Sequence, residues 1–322
     1  MGFGNYSHDA HVAMTSARAS KAPQEVFTQR ACHELMRPHG VKLREARDSE
    51  DHPNSVGVIF ALDVSGSMGD IPKKLATQTL PAFMSAMLDA GVPDPQVMFM
   101  GIGHAVSDRA PLQVGQFEST ERLMDQWLTW MFLEGGGAGG NESYELAMYF
   151  AARHTAMDCV QKRGRRGYLF ITGDEPPNPM VSAEHVRRLI GDELAKDIPI
   201  REVIEETQRS FELFYLIPDP TRGQAVGRDW RDLLGDRVIV MEGPDDTSYV
   251  AAGLVSLLEG AVADLGALVK RLRQAGVSEH QSAAVAKALT PFASSLGRDG
   301  APAPGLGGQD LPRGDGPSGY SR

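Results

Sequence analysis

Apolar residues along this chain fall into short blocks separated by longer stretches of helical spacing. Residues 56–62 (VGVIFAL), 96–102 (QVMFMGI), 167–172 (GYLFIT), 211–217 (FELFYLI) and 237–241 (RVIVM) are compact apolar runs. Their length, their β-branched and aromatic content and the Gly, Pro and Asp around them predict buried strands. Residues 111–117 (PLQVGQF) alternate apolar and polar positions behind a proline, which predicts an edge strand, here antiparallel. Between these blocks the spacing is helical. Residues 72–90 form one such stretch, with Pro72 suited to a first turn, Gly91 as a stop, and Pro81 placed to kink or split it. Further helices are predicted over 24–36, 120–133, 143–160, 183–190, 200–209, 250–272 and 280–289.

Strands alternating with helices predict an α/β fold, doubly wound and Rossmann-like, with a mostly parallel central sheet, one antiparallel edge strand and helices on both faces. Residues 1–55 read as an N-terminal arm packing on the main domain, 56–258 as that domain, and 259–296 as a helical extension. Residues 297–322 are rich in Gly and Pro and nearly free of large apolar side chains, which predicts a disordered tail. Ligands of such sheets bind at the carboxyl ends of the strands. That directs attention to the loops after Leu62, Leu133 and Thr172.

Composition narrows the partners. The 322 residues carry 32 Lys and Arg against 42 Asp and Glu, a net charge of −10. An acidic chain is a poor ligand for nucleic acid and for an anionic membrane surface, so neither is expected as a partner. Cys32 and Cys159 are the only cysteines and form no C-x-x-C pair, which suits a reducing compartment. No stretch approaches a membrane span, and the first 22 residues lack the apolar centre of a secretory signal. Gly2 is followed at the sixth position by Tyr6, where a myristoylation signal needs Ser or Thr. The expected location is the cytoplasm.

The chemistry concentrates in Asp63-Val64-Ser65-Gly66-Ser67, directly after the first strand and before a helix. Three oxygen-bearing side chains at alternate positions on a tight turn can converge on one cation, and Gly66 permits the sharp path. One carboxylate with two hydroxyls is a hard-oxygen set, suited first to Mg²⁺ and also to Mn²⁺ or Ca²⁺. It fills part of a shell only. The competing explanation is that the two serines cap the following helix.

The segment FALDVSGSMGDIP resembles the first metal-site motif of von Willebrand factor A (vWA) domains, their metal-ion-dependent adhesion site (MIDAS). The resemblance covers roughly residues 56–258. It implies a vWA fold and makes Asp63, Ser65 and Ser67 metal ligands. The family's second motif is a Thr on the loop before a mid-domain helix. The loop here, EGGGAGGNES over 134–143, has no such Thr and offers Asn141, Glu142 and Ser143; its pattern resembles bacterial intracellular members of the family. Asn141 also reads as a helix cap. The third motif, an Asp after the fourth strand, maps onto Asp174 in Thr172-Gly173-Asp174-Glu175, displaced by one residue, with Glu175 next in line. The resemblance implies a non-enzymatic, metal-dependent adaptor that binds an acidic residue of a protein partner, in the setting of an AAA+ ATPase or stress-response assembly. The alternatives are a Mg²⁺-dependent hydrolase or phosphatase, for which no base or phosphate clamp stands beside the motif, and a scaffold with a degenerate metal site.

Overall fold

A computed structural model describes residues 4–66, 68, 70–135 and 141–298. Six strands form the central sheet: β1 (Ser55–Asp63), β2 (Asp94–Ile102), β3 (Leu112–Val114), β4 (Gly167–Thr172), β5 (Phe211–Ile217) and β6 (Val238–Val240). Their spatial order is β3-β2-β1-β4-β5-β6. All neighbours are parallel except β2 and β3, so the alternating segment forms the antiparallel edge that its pattern predicts. This is a doubly wound α/β fold, and the order reverses direction at β1.

Register builds the core. Phe60 lies beside Phe99 on β2 and Phe170 on β4, and Phe170 lies beside Phe214 on β5. One face of four adjacent strands therefore carries a row of phenylalanines. Phe83, from the helix Leu80–Asp89, meets Phe60 edge-on at 4.9 Å, and Phe292, from the helix Glu279–Ser295, meets Phe214 at 5.1 Å. The helix Thr247–Leu258 packs between these two helices. The helices Tyr144–Arg153 and Ile200–Ser210 pack against one another on the other face.

Pro81 does split its helix. The stretch runs as α-helix over Asp70–Lys74, as π-helix over Leu75–Thr79 and as α-helix again over Leu80–Asp89. The amide of Leu80 donates to Leu75 O, five residues back, just before the residue that has no amide to donate.

Four expectations need correction. The helix expected over 143–160 ends at Arg153. Thr155–Met157 instead forms a parallel ladder with Arg44–Ala46 of the arm, and a new helix spans Asp158–Arg163. The helix expected over 24–36 is reduced to Pro23–Val26 and a 3₁₀ turn at Glu34–Met36, because tertiary contacts claim the rest: His33 stacks on Trp130 at 3.9 Å and Leu35 O accepts from Arg44. The run over 250–272 breaks at Gly260, φ +70°, and restarts at Leu265 under an Asp264 cap. The helix Pro220–Leu234 is absent from the sequence pattern, since Gly223 and Gly227 dilute its apolar spacing; a Cβ at position 223 would come within 2.5 Å of Val240.

Buried side chains from the first 55 residues, such as Met36 and Ala46, and from the last helices, such as Leu289 and Phe292, belong to the same hydrophobic cluster as the sheet. Arg298 N–H donates to Ala293 O, so the segment expected as a disordered tail begins with a capped helix end; residues 299–322 lie outside the described residues.

The helix His8–Ser16 carries His11, which is fully buried, with Nδ1 3.0 Å from the hydroxyl of Tyr6. Burial first, then the charges of His8 and Arg18, push its pKa down to about 4. Across the same packing Arg18 is paired with Asp125. A histidine depressed in the folded state stabilises above its unfolded value and loses that contribution as pH falls from about 6.5 through about 4. Acidification from pH 7.5 to 5 should therefore loosen this helix, at a cost of about 2 kcal/mol. Amide exchange of residues 8–16 at the two pH values measures it. His11→Phe should flatten the dependence, and an unchanged pH response in that variant would assign it elsewhere.

Candidate metal centre

Asp63 is the last residue of β1, between the carboxyl ends of β2 and β4, where the strand order reverses. Its side chain is fully buried. Oδ1 accepts the Ser65 amide at 2.8 Å and Oδ2 accepts the Tyr144 hydroxyl at 2.7 Å. Ser65 is therefore bound to the carboxylate, not capping the helix, which begins at Asp70. Ser67 lies outside the described residues.

The second loop brings Glu142 to the same place. Glu142 is buried, and among the described residues its Oε2 has no hydrogen-bond partner. Burial first, and then the charge of Asp63, push its pKa up to about 8, with Glu175 and Asp174 adding to the rise. Burial likewise pushes Asp63 up to about 6, against the bonds from Ser65 and Tyr144 and with help from Asp174. Asn141 is not a helix cap; the N-cap of Tyr144–Arg153 is Ser143. Asn141 lines a neighbouring cavity, together with His104 and Asn178.

Asp174 is buried on the third loop, one place beyond the position that the family's motif gives its acid. The displacement has a steric cause. A Cβ on Gly173 would fall 2.3 Å from the Tyr215 hydroxyl and 2.5 Å from the Tyr144 ring, so the acid moves one place on. Below the loop Tyr215 stacks on Trp230 at 3.9 Å and meets Tyr144 edge-on at 5.3 Å. Tyr215 and Trp230 both donate to Glu175 O, at 3.2 and 2.9 Å.

Two residues at this centre are not singled out by the sequence. Tyr144, at the start of a helix, reads there as packing. In the structure its hydroxyl donates to Asp63 and receives the amides of Asp174, at 3.3 Å, and Glu175, at 3.4 Å, linking the first and third loops. Burial, and then the neighbouring Tyr215, Asp63 and Glu142, hold that hydroxyl well above its ordinary pKa, so it stays a donor. Arg222 comes from the helix Pro220–Leu234. Its Nε donates to Asp174 O at 2.8 Å and its Nη2 pairs with Glu175 Oε1 at 2.7 Å, setting a guanidinium against the acidic loop.

The donors assembled are oxygens, and burial, with carboxylate neighbours adding to it, raises the pKa of Asp63 and Glu142, an arrangement that a divalent cation relieves. Among the described residues no three His, Cys, Asp or Glu side chains converge closely enough to hold a metal on their own. Hydroxyls, water or a partner's oxygen would complete the shell. On donor chemistry the residues fit a hard cation.

No protein-family model matches the chain, and no curated protein matches it. Solved structures similar to it include the pilus adhesin SpaC from Lactobacillus rhamnosus GG in its open conformation, at TM-score 0.45 and 12% identity over 68% of this chain and 32% of that one. Proximal thread matrix protein 1 from the mussel byssus, solved with a zinc-occupied MIDAS motif, follows at TM-score 0.37 and 10% identity, over 69% and 51%. A von Willebrand factor type A structure from Catenulispora acidiphila gives 0.34 and 13%, over 70% and 51%. The chain spans about a third to a half of these structures. At such scores the likeness assigns neither a metal nor a partner. The strand order of the chain itself shows the doubly wound α/β fold that the resemblance implies.

Proposed function

We propose that this chain is a metal-ion-dependent protein-binding module. The observation that carries the reading is the buried Oε2 of Glu142, which has no hydrogen-bond partner among the described residues, beside the buried Asp63 at the carboxyl end of the central strand. Burying carboxylates together is costly unless a cation joins them. In this reading Asp63, Ser65, Glu142 and Asp174 hold the ion, directly or through water, and Ser67 joins them by the resemblance alone. Asn141 joins the set by the resemblance alone. The donor set favours Mg²⁺, with Mn²⁺ and Ca²⁺ as substitutes. The cation supplies an open coordination position, and an acidic residue of a protein partner fills it.

A hydrolase would need a base or phosphate clamp at Asp63. Lys73 and Lys74 stand downstream on the helix Asp70–Lys74; Lys74 is engaged with Asp245 at 3.0 Å, and Arg222 is engaged with the third loop. The non-enzymatic reading is the one adopted. No helix among the described residues is long and apolar enough to cross a membrane. The cytoplasmic location and the AAA+ or stress-response setting stand on the sequence and its resemblance.

The test is capture of partners by the immobilised chain from a lysate of its own cells. A partner retained in Mg²⁺ should elute with chelator and be missing from Asp63→Ala resin. A partner retained equally in chelator would remove the metal from the binding mechanism.

A further inference from the structure

Glu142 has Asp63 and Asp174 as charged neighbours, whereas Asn141 and Ser143, on either side of it in the chain, line a cavity of about 240 Å³. Its mouth and its floor differ in chemistry. Val106 and Met180 line it while 69% and 38% exposed, two of the few large apolar side chains that the described surface shows. Glu145 also lines it, yet is only 2% exposed. Asn178 Nδ2 donates to Glu145 Oε2 at 3.0 Å and to Glu142 O at 3.3 Å, tying the floor to the metal loop. Among the described residues no Lys or Arg pairs with Glu145; the nearby Arg188 spends its Nη2 on Ala105 O.

A buried carboxylate below an apolar rim matches one kind of side chain. Long cationic side chains have apolar stems and a charged head, and they bury the stem readily when the head finds an acceptor. An acidic side chain would meet Glu145 as a like charge. A purely apolar one would leave the carboxylate with Asn178 as its one side-chain donor among the described residues and with no counter-charge. We propose that this cavity binds a lysine or arginine side chain of the protein partner, so that the partner is recognised by an acidic residue at the metal and a basic residue beside it. This rests on the binding reading above. It adds what that reading lacks, a second contact that selects among acidic partners.

The cavity can be tested without the partner and without metal. The probes are N-acetyl-arginine amide and N-acetyl-lysine amide, with N-acetyl-norleucine amide as the uncharged control. The readout is the Met180 methyl resonance of the full chain in chelator. Both cationic amides should shift it, with Kd on the order of millimolar, as fits a single side chain. The norleucine amide should bind at least ~10-fold more weakly. Glu145→Gln, similar in shape, should weaken the cationic amides by on the order of 10-fold. Met180→Arg, an exposed change that places a cation at the mouth, should block them, read on the His185 ring protons; it carries the test should Glu145→Gln disturb the fold. Norleucine binding as strong as that of the cations would overturn the proposal, as would full affinity in both variants. Metal titration of Glu145→Gln separates the two readings: unchanged Mg²⁺ affinity with lost amide binding places the failure or success of each on its own residues.

Discussion

Asp63→Ala is expected to lower Mg²⁺ affinity by on the order of 100-fold or more in titration calorimetry, close to 3 kcal/mol of binding free energy. Asp63 is the carboxylate at the switch point, and its backbone is pinned by the amide of Val64, which donates to Ile102 O at 2.9 Å. Ser65 offers only a neutral hydroxyl, so Ser65→Ala should cost about 10-fold. The fold should survive Asp63→Ala. The variant strands the Tyr144 hydroxyl and the Ser65 amide, which is unfavourable, but it also removes a buried charge from beside Glu142 and Asp174. In chelator its melting temperature should lie within about 2 °C of wild type, the shift of roughly 1 kcal/mol for a chain of this length. Equal Mg²⁺ affinity in the two proteins would remove Asp63 from the site.

The largest effect on stability should come from Trp230→Ala. Trp230 is fully buried, lies face to face with Tyr215, meets Tyr144 edge-on at 5.7 Å and donates to Glu175 O. Truncation removes the largest fully buried side chain and leaves a cavity under the third loop, at a cost of about 3–5 kcal/mol. Chemical denaturation should show the midpoint falling with the slope kept. Because Glu175 loses one of its two carbonyl partners, Mg²⁺ binding should weaken as well, even though Trp230 touches no ligand. A loss below about 1 kcal/mol would mean that the aromatic stack does not support the loop.

Strands were the legible part of this chain. The buried runs that became β1, β2, β4, β5 and β6 are short, apolar and punctuated, and their register follows from matching phenylalanines. Asp63 and Asp174 were legible from their places after strands. Glu142 was visible as a candidate, but its burial, and an Oε2 without a partner among the described residues, come only from the three-dimensional packing around it. Tyr144 and Arg222 were not legible, because each acts through a contact far away in sequence, 81 residues in the bond from Tyr144 to Asp63 and 48 in the bond from Arg222 to Asp174. The helix breaks at Thr155 and Gly260 were hidden for a related reason. Local spacing continues the helix, and only the arm strand Arg44–Ala46 or a left-handed glycine ends it.

The wide turn at Leu75–Thr79 amounts to one residue more than a regular helix needs between the metal loop and Leu80. Each residue of an α-helix rotates the following chain by about 100° about its axis. Removing a single residue there, in an attempt to regularise the helix, would keep its length nearly the same but swing Asp70 and the turn before it around to another side. The extra residue thus acts as a phase setting between the turn at Ser65 and the helix that anchors Phe83 in the core. Length changes elsewhere in loops cost little, whereas at this point a gain or loss of one residue would misalign the first ligand loop with the other two.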